Sequence, residues 1–315
     1  MKINKAYQVS PIYIFFLIHS AQFGAGVLGF ARIVAKKAGY DAWIGVVLAG
    51  IFLHILMWMM YSMLSWIKGS ILELQTYMFG RFIGTGLNIV FLVYFFIVSA
   101  SLLRTYIEIV QVWMFPTAST LILAIILSIL VYYIISSGFQ VMTAISIVSI
   151  FISIFYVVLC VYCVVVYGHW DIFSPILNHS YLDIADAMQK SIYTMAGSEI
   201  ILMIYPFFHA PKESHKFAQY GLLFSNLLYA LTIISALACF SEKQLSHLIW
   251  SQLSLSQVIT FPFIQRFEYL MVSAYAWQMV TSMMLPLWAC TRMPINLRLF
   301  TTPKYKKTLF FLKQL

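Results

Sequence analysis

Charged residues are scarce in this sequence: Asp, Glu, Lys and Arg make up 9% of its 315 residues, whereas 62% are hydrophobic. A soluble domain carries about 25% charged residues, because charges cover the surface that faces water. The composition therefore excludes a soluble enzyme, a nucleic-acid-binding domain and a disordered chain. It predicts an all-α, multi-pass membrane protein in contact with the lipid bilayer, since helices satisfy their own backbone in lipid.

Cysteine is also rare, and the four cysteines, at positions 160, 163, 239 and 290, lie in apolar stretches. A buried cysteine behaves as a small hydrophobic residue, so we predict neither disulfides nor a metal site. The sequence shows no Ser/His/Asp triad, phosphate loop or cluster of metal ligands. We therefore expect no cofactor and no enzymatic activity.

The net charge of +9 comes from basic residues that lie mostly in short loops and near the C-terminus. In a membrane protein, this distribution reflects the excess of Lys and Arg in cytoplasmic loops, and it gives no reason to expect nucleic acid as a partner. The polar segment Met1–Ser10 precedes an apolar run that is too long for a signal peptide. The sequence predicts a retained first span and a cytoplasmic N-terminus.

Eight apolar segments are long enough to cross a bilayer, which needs about 20 residues per helix. They are Ile12–Val34, Asp41–Trp66, Phe82–Trp113, Ala118–Ser136, Val141–Tyr167, Ile184–Phe208, Tyr220–Phe240 and Phe267–Trp288. The stretch Ser241–Gln265 is too polar to span and is expected to form a short helix at the interface. Residues 1–298 are thus predicted to form one transmembrane domain, and residues 299–315 a basic cytoplasmic tail.

Two of these segments are interrupted in the middle of an apolar run. The first contains Gly24, Gly26 and Gly29, and each glycine weakens a helix by about 1 kcal/mol relative to alanine. The sixth contains Gly197 and Glu199, and a mid-membrane carboxylate needs a partner. Close packing through small residues is one explanation. The interruptions occur at matching places in the two halves of the sequence. This favours a second explanation, in which the broken spans one and six share a binding site at the midplane of the membrane.

A broken helix exposes amides at one half-helix N-terminus and carbonyls at the opposite C-terminus. The amides suit a carboxylate, and the carbonyls, helped by an acid such as Glu199, suit an ammonium group. The expected ligand is a small zwitterion such as an amino acid, with a sugar or a nucleoside as alternatives. The predicted ligand-binding residues are Gln22, Gly24, Ala25, Gly26, Gly197, Ser198, Glu199, Tyr106 and Glu108.

Arg104 and Glu108 are four residues apart in the third segment. Such a pair shares one helix face, so each charge can neutralise the other inside the membrane. We predict a structural ion pair between Arg104 and Glu108. In the alternative arrangement, Glu108 points into the site and helps to balance the ammonium group of a ligand.

Three segments resemble the B subunits of spore germination receptors, which belong to the amino acid–polyamine–organocation transporter superfamily. They are Gln22–Arg32 (QFGAGVLGFAR), Gly197–Phe208 (GSEIILMIYPFF) and Arg266–Trp277 (RFEYLMVSAYAW). The resemblance extends from the N-terminus to about Arg298. It implies a leucine-transporter-like bundle of two inverted five-helix repeats, located in the spore inner membrane beside receptor A and C subunits.

The resemblance also implies a task, which is to sense a nutrient germinant, commonly an amino acid, and to trigger germination. Two departures stand out. Phe30-Ala31 replaces the usual Leu-Pro before the arginine, and eight spans are visible where the family has ten, so we expect a C-terminally shortened bundle. The alternatives are a proton- or sodium-coupled amino acid permease and a truncated, inactive remnant.

Overall fold

The computed structural model describes residues 4–259 and 266–296, and within them the chain forms α-helices and short 3-10 turns but no β-strand. The helices are α1 (Ile14–Gln22), α2 (Gly26–Ala38), α3 (Ala42–Ile67), α4 (Ile71–Trp113), α5 (Thr120–Ser136), α6 (Phe139–Tyr167), α7 (Tyr181–Thr194), α8 (Ile201–Ile204), α9 (Ser214–Cys239), α10 (Glu242–His247), α11 (Ser251–Gln257) and α12 (Phe267–Asn296). The predicted tail, residues 299–315, lies outside the described residues.

The apolar composition of these helices agrees with the predicted all-α membrane protein. In the described ranges, four segments are long and apolar enough to cross a membrane, namely Gly26–Ile67, Ile71–Trp113, Phe139–Tyr167 and Ser214–Cys239. The outward faces of α4 and α5 are rich in exposed Ile, Leu, Val and Phe side chains. Such faces suit lipid, because the bilayer core offers no water to solvate polar groups.

The centre of the bundle is filled by aromatic side chains from several helices. Phe23, Tyr156, Tyr229, Tyr275 and Trp288 are fully buried. The ring of Phe23 lies 5.4 Å from that of Tyr156 and 6.0 Å from that of Tyr229, in edge-to-face geometry. Helices α1, α6, α9 and α12 therefore enclose one core around the end of α1.

Helix α4 contains a kink that its sequence explains. Its N-terminus is capped reciprocally by Ser70 and Glu73, and Gly80 has φ +73° and ψ 176° in its interior. A positive φ is favoured only for glycine, and a Cβ at this position would meet nothing within 4 Å. The predicted third segment begins at Phe82, two residues beyond this kink.

The amphiphilic stretch after α9, expected as a short helix, contains two short helices in its described part. It forms α10 and α11, which pack against α2, α9 and α12. Leu245, Leu253 and Leu255 are buried, and Gln252 donates to the carbonyl oxygen of Thr232 at 3.0 Å. Residues 260–265 lie outside the described part.

The turn between α2 and α3 holds the loop that precedes α7. The buried carboxylate of Asp41 accepts hydrogen bonds from the backbone N–H groups of Leu177 at 2.8 Å and His179 at 3.0 Å. The His179 ring also contacts it, with Nδ1 3.0 Å from Oδ2. The same turn binds α10, since the N–H of Tyr40 donates to Glu242 at 3.0 Å. These contacts tie α2, α7 and α10 together at one end of the bundle.

Candidate ligand-binding site

The first glycine-rich segment is interrupted between α1 and α2, over Phe23–Ala25, which we call break one. Helix α1 ends because Phe23 has φ −89° and ψ 71°, outside the helical region. The hydroxyl of Ser282 on α12 donates to the carbonyl oxygens of Ser20 at 2.8 Å and Phe23 at 3.3 Å. Carbonyls freed at the end of α1 are thus partly satisfied by a neighbouring helix.

The second segment is interrupted over Met195–Gly197, which we call break two. Gly197 has φ +132°, and a Cβ there would lie 2.3 Å from the carbonyl oxygen of Ala21. At Gly26, in the first turn of α2, a Cβ would lie 2.8 Å from Cγ2 of Thr194. Gly197 therefore has to be glycine, and a side chain at Gly26 would require the side chain of Thr194 to move, because the segments around the two breaks pack against each other.

Two side chains join the breaks by hydrogen bonds. The amide nitrogen of Gln22 donates to the carbonyl oxygen of Met195 at 2.9 Å. The hydroxyl of Tyr229 lies 2.9 Å from the carbonyl oxygen of Gln22 and 3.1 Å from that of Thr194, so one proton serves two acceptors. The carbonyl ends of α1 and α7 therefore converge at this point, where two side-chain donors serve three carbonyl oxygens.

A cavity of about 520 Å³ lies beside the two breaks. Six of the predicted residues line it: Gln22, Gly24, Ala25, Gly26, Gly197 and Glu199. Its other walls come from α4, from Arg32 on α2, and from Ile249 and Trp250 between α10 and α11. The side from α4 is largely apolar, with Phe95, Val98 and Leu102. The volume and the mixture of polar and apolar walls suit a small molecule.

Glu199 obtains its partners from the protein. One carboxylate oxygen accepts a hydrogen bond from the backbone N–H of Gly197 at 2.7 Å. The other accepts a hydrogen bond from the hydroxyl of Tyr94 on α4. The acid therefore caps the backbone of break two and links it to α4.

Other polar groups at the breaks have no partner in the part of the chain that the structure describes. The backbone N–H groups of Ala25 and Gly26 find no acceptor there, as expected at the N-terminus of α2. The buried Oε1 of Gln22 has no donor. Both hydrogen-bond donors and a hydrogen-bond acceptor are thus unpaired where the two breaks meet. In the described ranges, no group of three or more His, Cys, Asp or Glu is placed to hold a metal.

The structure places the remaining predicted residues away from the cavity wall. Ser198 is buried behind Gly197, and the hydroxyl of Tyr106 donates to the carbonyl oxygen of Val272 at 3.1 Å. Arg104 and Glu108 are exposed on α4 and form no ion pair with each other in this structure. Neither Arg104 nor Glu108 lines the cavity, although Thr105 between them does.

Sequence reasoning missed Tyr94, Tyr229, Arg32 and Trp250 as residues of the site. A tyrosine in an apolar helix usually serves packing, so nothing in the sequence distinguished Tyr94 or Tyr229 from other tyrosines. Trp250 lies in the stretch that was expected at the interface, and its ring packs near Gly29. The sequence signal that was available is a tryptophan in a polar stretch between two apolar segments, which indicates that this stretch packs against the bundle.

The fold and the cavity define a class, that of all-helical, permease-like membrane proteins in which two interrupted helices face one ligand-sized space. A family model described as "Spore germination protein" matches residues 8–313. The chain belongs to this family, which comprises the B subunits of spore germination receptors.

Individual relatives agree with this assignment. The chain is 40% identical to spore germination protein GerQB of Bacillus cereus over 286 residues, which cover 91% of this chain and 79% of that protein. It is 25% identical to spore germination protein B2 of Bacillus subtilis (strain 168), over 80% of this chain and 69% of that protein. Spore germination protein A2 of the same strain is also 25% identical, over 84% of this chain and 74% of that protein.

Proposed function

We propose that this protein is the integral-membrane B subunit of a nutrient germinant receptor and that it binds a small, amino-acid-like germinant beside the two breaks. The observation that carries this proposal is the meeting of break one and break two at one cavity lined by Gln22, Gly26, Gly197 and Glu199. Charged or polar residues inside a membrane bundle mark ligand and ion pathways, because their burial is otherwise costly.

The polar groups at the site match the two charges of an amino acid. The unpaired amides of Ala25 and Gly26, at the positive end of the α2 dipole, suit a carboxylate. An ammonium group suits the carbonyl ends of α1 and α7, together with the carboxylate of Glu199. The apolar side chains of α4 then contact the rest of the ligand.

The wider architecture is part of the proposal. We place this protein in the spore inner membrane with its N-terminus in the cytoplasm, where most Lys and Arg residues of the loops would lie. Two helices interrupted at matching positions support an inverted-repeat bundle of the leucine-transporter type, with about eight spans in this chain. Receptor A and C subunits are the proposed partners that read its conformation.

A ligand triggers germination only if it binds two conformations of the receptor with different affinity. The test uses the purified full chain in lipid nanodiscs, with radiolabelled L-alanine, L-valine and L-leucine as probes. We expect saturable binding of at least one probe, and we expect Glu199→Gln to weaken it about tenfold or more. Glu213→Gln, which changes an exposed acid in a loop, is the control and should bind normally.

Function in spores distinguishes the sensor from the alternatives. Spores that carry Glu199→Ala at normal protein levels should fail to germinate in response to the bound amino acid. A proton- or sodium-coupled permease is the second candidate, because paired broken helices are typical of secondary transporters. It predicts uptake of the labelled amino acid into proteoliposomes, abolished by Glu199→Gln. Normal germination after deletion of the gene would instead favour the inactive remnant.

A further inference from the structure

Tyr94 on α4 and Glu199 beyond break two are 105 positions apart in sequence, yet the hydroxyl of Tyr94 donates a hydrogen bond to Oε1 of Glu199. The second oxygen, Oε2, accepts the backbone N–H of Gly197 at 2.7 Å. Each carboxylate oxygen thus has one donor, and the two donors come from different structural elements. Together they fix both the position of the carboxylate and its rotation.

The fixed carboxylate retains binding capacity. An ionised carboxylate offers about four lone-pair sites, and the two observed hydrogen bonds use two of them. Glu199 lies on the cavity wall, as does Phe95, the residue that follows Tyr94. Tyr94 itself is not a wall residue, so its effect on a molecule in the cavity has to pass through Glu199.

We infer that Tyr94 is a positioning residue, whose hydroxyl orients the carboxylate of Glu199 so that its free lone pairs accept the ammonium group of an amine-bearing ligand. This inference rests on the proposed ligand site and adds the ligand group that Glu199 recognises. Without the hydroxyl, Glu199 keeps its contact with Gly197 but loses the donor that sets its rotation. Recognition of the amine then weakens, whereas contacts with other parts of the ligand stay in place.

The test compares matched probes on the full chain in nanodiscs. L-alanine, L-valine and L-leucine are each paired with the carboxylate that lacks the amine, namely propanoate, 3-methylbutanoate and 4-methylpentanoate. We expect Tyr94→Phe to weaken binding of the amino acids about tenfold, the effect of losing a hydrogen bond to a charged group. Binding of the amine-free acids, measured by competition, should change less than about twofold.

A matched control is available on α5, away from the cavity. Tyr132 is 67% exposed and does not line the cavity, and its hydroxyl has no partner in the described part of the chain. Tyr132→Phe should leave both probe classes unchanged. Glu199→Gln provides a second variant, and Tyr94→Phe should have no further effect in that background, because the two residues act as a unit.

Four results would overturn the inference. Equal losses for amino acids and amine-free acids would assign Tyr94 a general structural role. Additive effects of Tyr94→Phe and Glu199→Gln on amino-acid binding would show that Tyr94 does not act through Glu199. Weaker binding in Glu199→Gln but not in Tyr94→Phe would show the same. Neither result would contradict the proposed ligand site. Failure of wild-type protein to bind any of the amino acids would remove the proposed site and this inference together.

Discussion

Gly197 packs so closely against Ala21 that a Cβ at position 197 would lie 2.3 Å from the Ala21 carbonyl oxygen. This contact explains why the two interruptions, which are far apart in sequence, form one structural unit. The missing side chain of Gly197 leaves room for the backbone of Ala21, and that of Gly26 leaves room for the side chain of Thr194.

Gly197→Ala should disrupt break two. The substitution places a side chain at φ +132°, which costs about 1–3 kcal/mol, and also forces Ala21 to move. We expect a lower melting temperature of the purified protein in detergent, followed by intrinsic fluorescence. Gly86→Ala is the control, because a Cβ there meets nothing within 4 Å on an exposed helix and should be neutral or slightly stabilising. An unchanged melting temperature for Gly197→Ala would contradict the close contact.

Tyr229→Phe should loosen the connection between the breaks. It removes the hydroxyl that serves the carbonyls of Gln22 and Thr194, at an expected cost of about 1 kcal/mol. Hydrogen exchange should accelerate in residues 22–28 and 194–201 and stay constant elsewhere. Tyr220→Phe, on the exposed face of the same helix, should show no such change. A uniform acceleration over the whole protein would argue for general destabilisation instead.

Asp41→Asn should release the loop that precedes α7. The carboxylate accepts three hydrogen bonds from Leu177 and His179, and hydrogen bonds to a charged group contribute about 1.5–3 kcal/mol each. Limited proteolysis should then cleave within residues 168–180 faster than in the wild type. Asp171→Asn, an exposed acid in the same loop, serves as the comparison. Equal cleavage rates in the two variants would show that Asp41 does not hold the loop.

Replacing both Arg104 and Glu108 by Gln should leave the stability of the isolated protein within about 0.5 kcal/mol of the wild type. The two side chains are exposed and form no ion pair with each other in this structure, and surface substitutions of this kind are usually near neutral. Thermal unfolding in detergent provides the measurement. A large loss of stability in the double variant would revive the ion pair that their spacing predicts.

The sequence allowed the helices to be located because long apolar runs and interrupting glycines leave direct signals. Gly26 and Gly197 identified the breaks, since glycine in a mid-membrane helix is unfavourable without a reason. Spacing was less informative for Arg104 and Glu108. Their separation of four residues is compatible with a shared helix face, but it does not decide whether that face points inward.

The partners in the site could not be deduced from local patterns. Glu199 required a partner, but the choice of Tyr94 depends on how α4 packs against break two. Likewise, Tyr229 is joined to Gln22 across 207 positions of sequence. Such contacts follow from the three-dimensional arrangement of helices, and periodicity within one helix carries no information about them.

The hydrogen bond between Gln22 and Met195 spans 173 positions, and this separation has a consequence for biosynthesis. The ribosome completes α1 long before it reaches the carbonyl that Gln22 will bind. The interrupted first helix therefore enters the bilayer with a polar amide that still lacks its final acceptor. The hydrogen bond between Gln22 and Met195, and with it the contact between the two breaks, can form only after α7 has been synthesised.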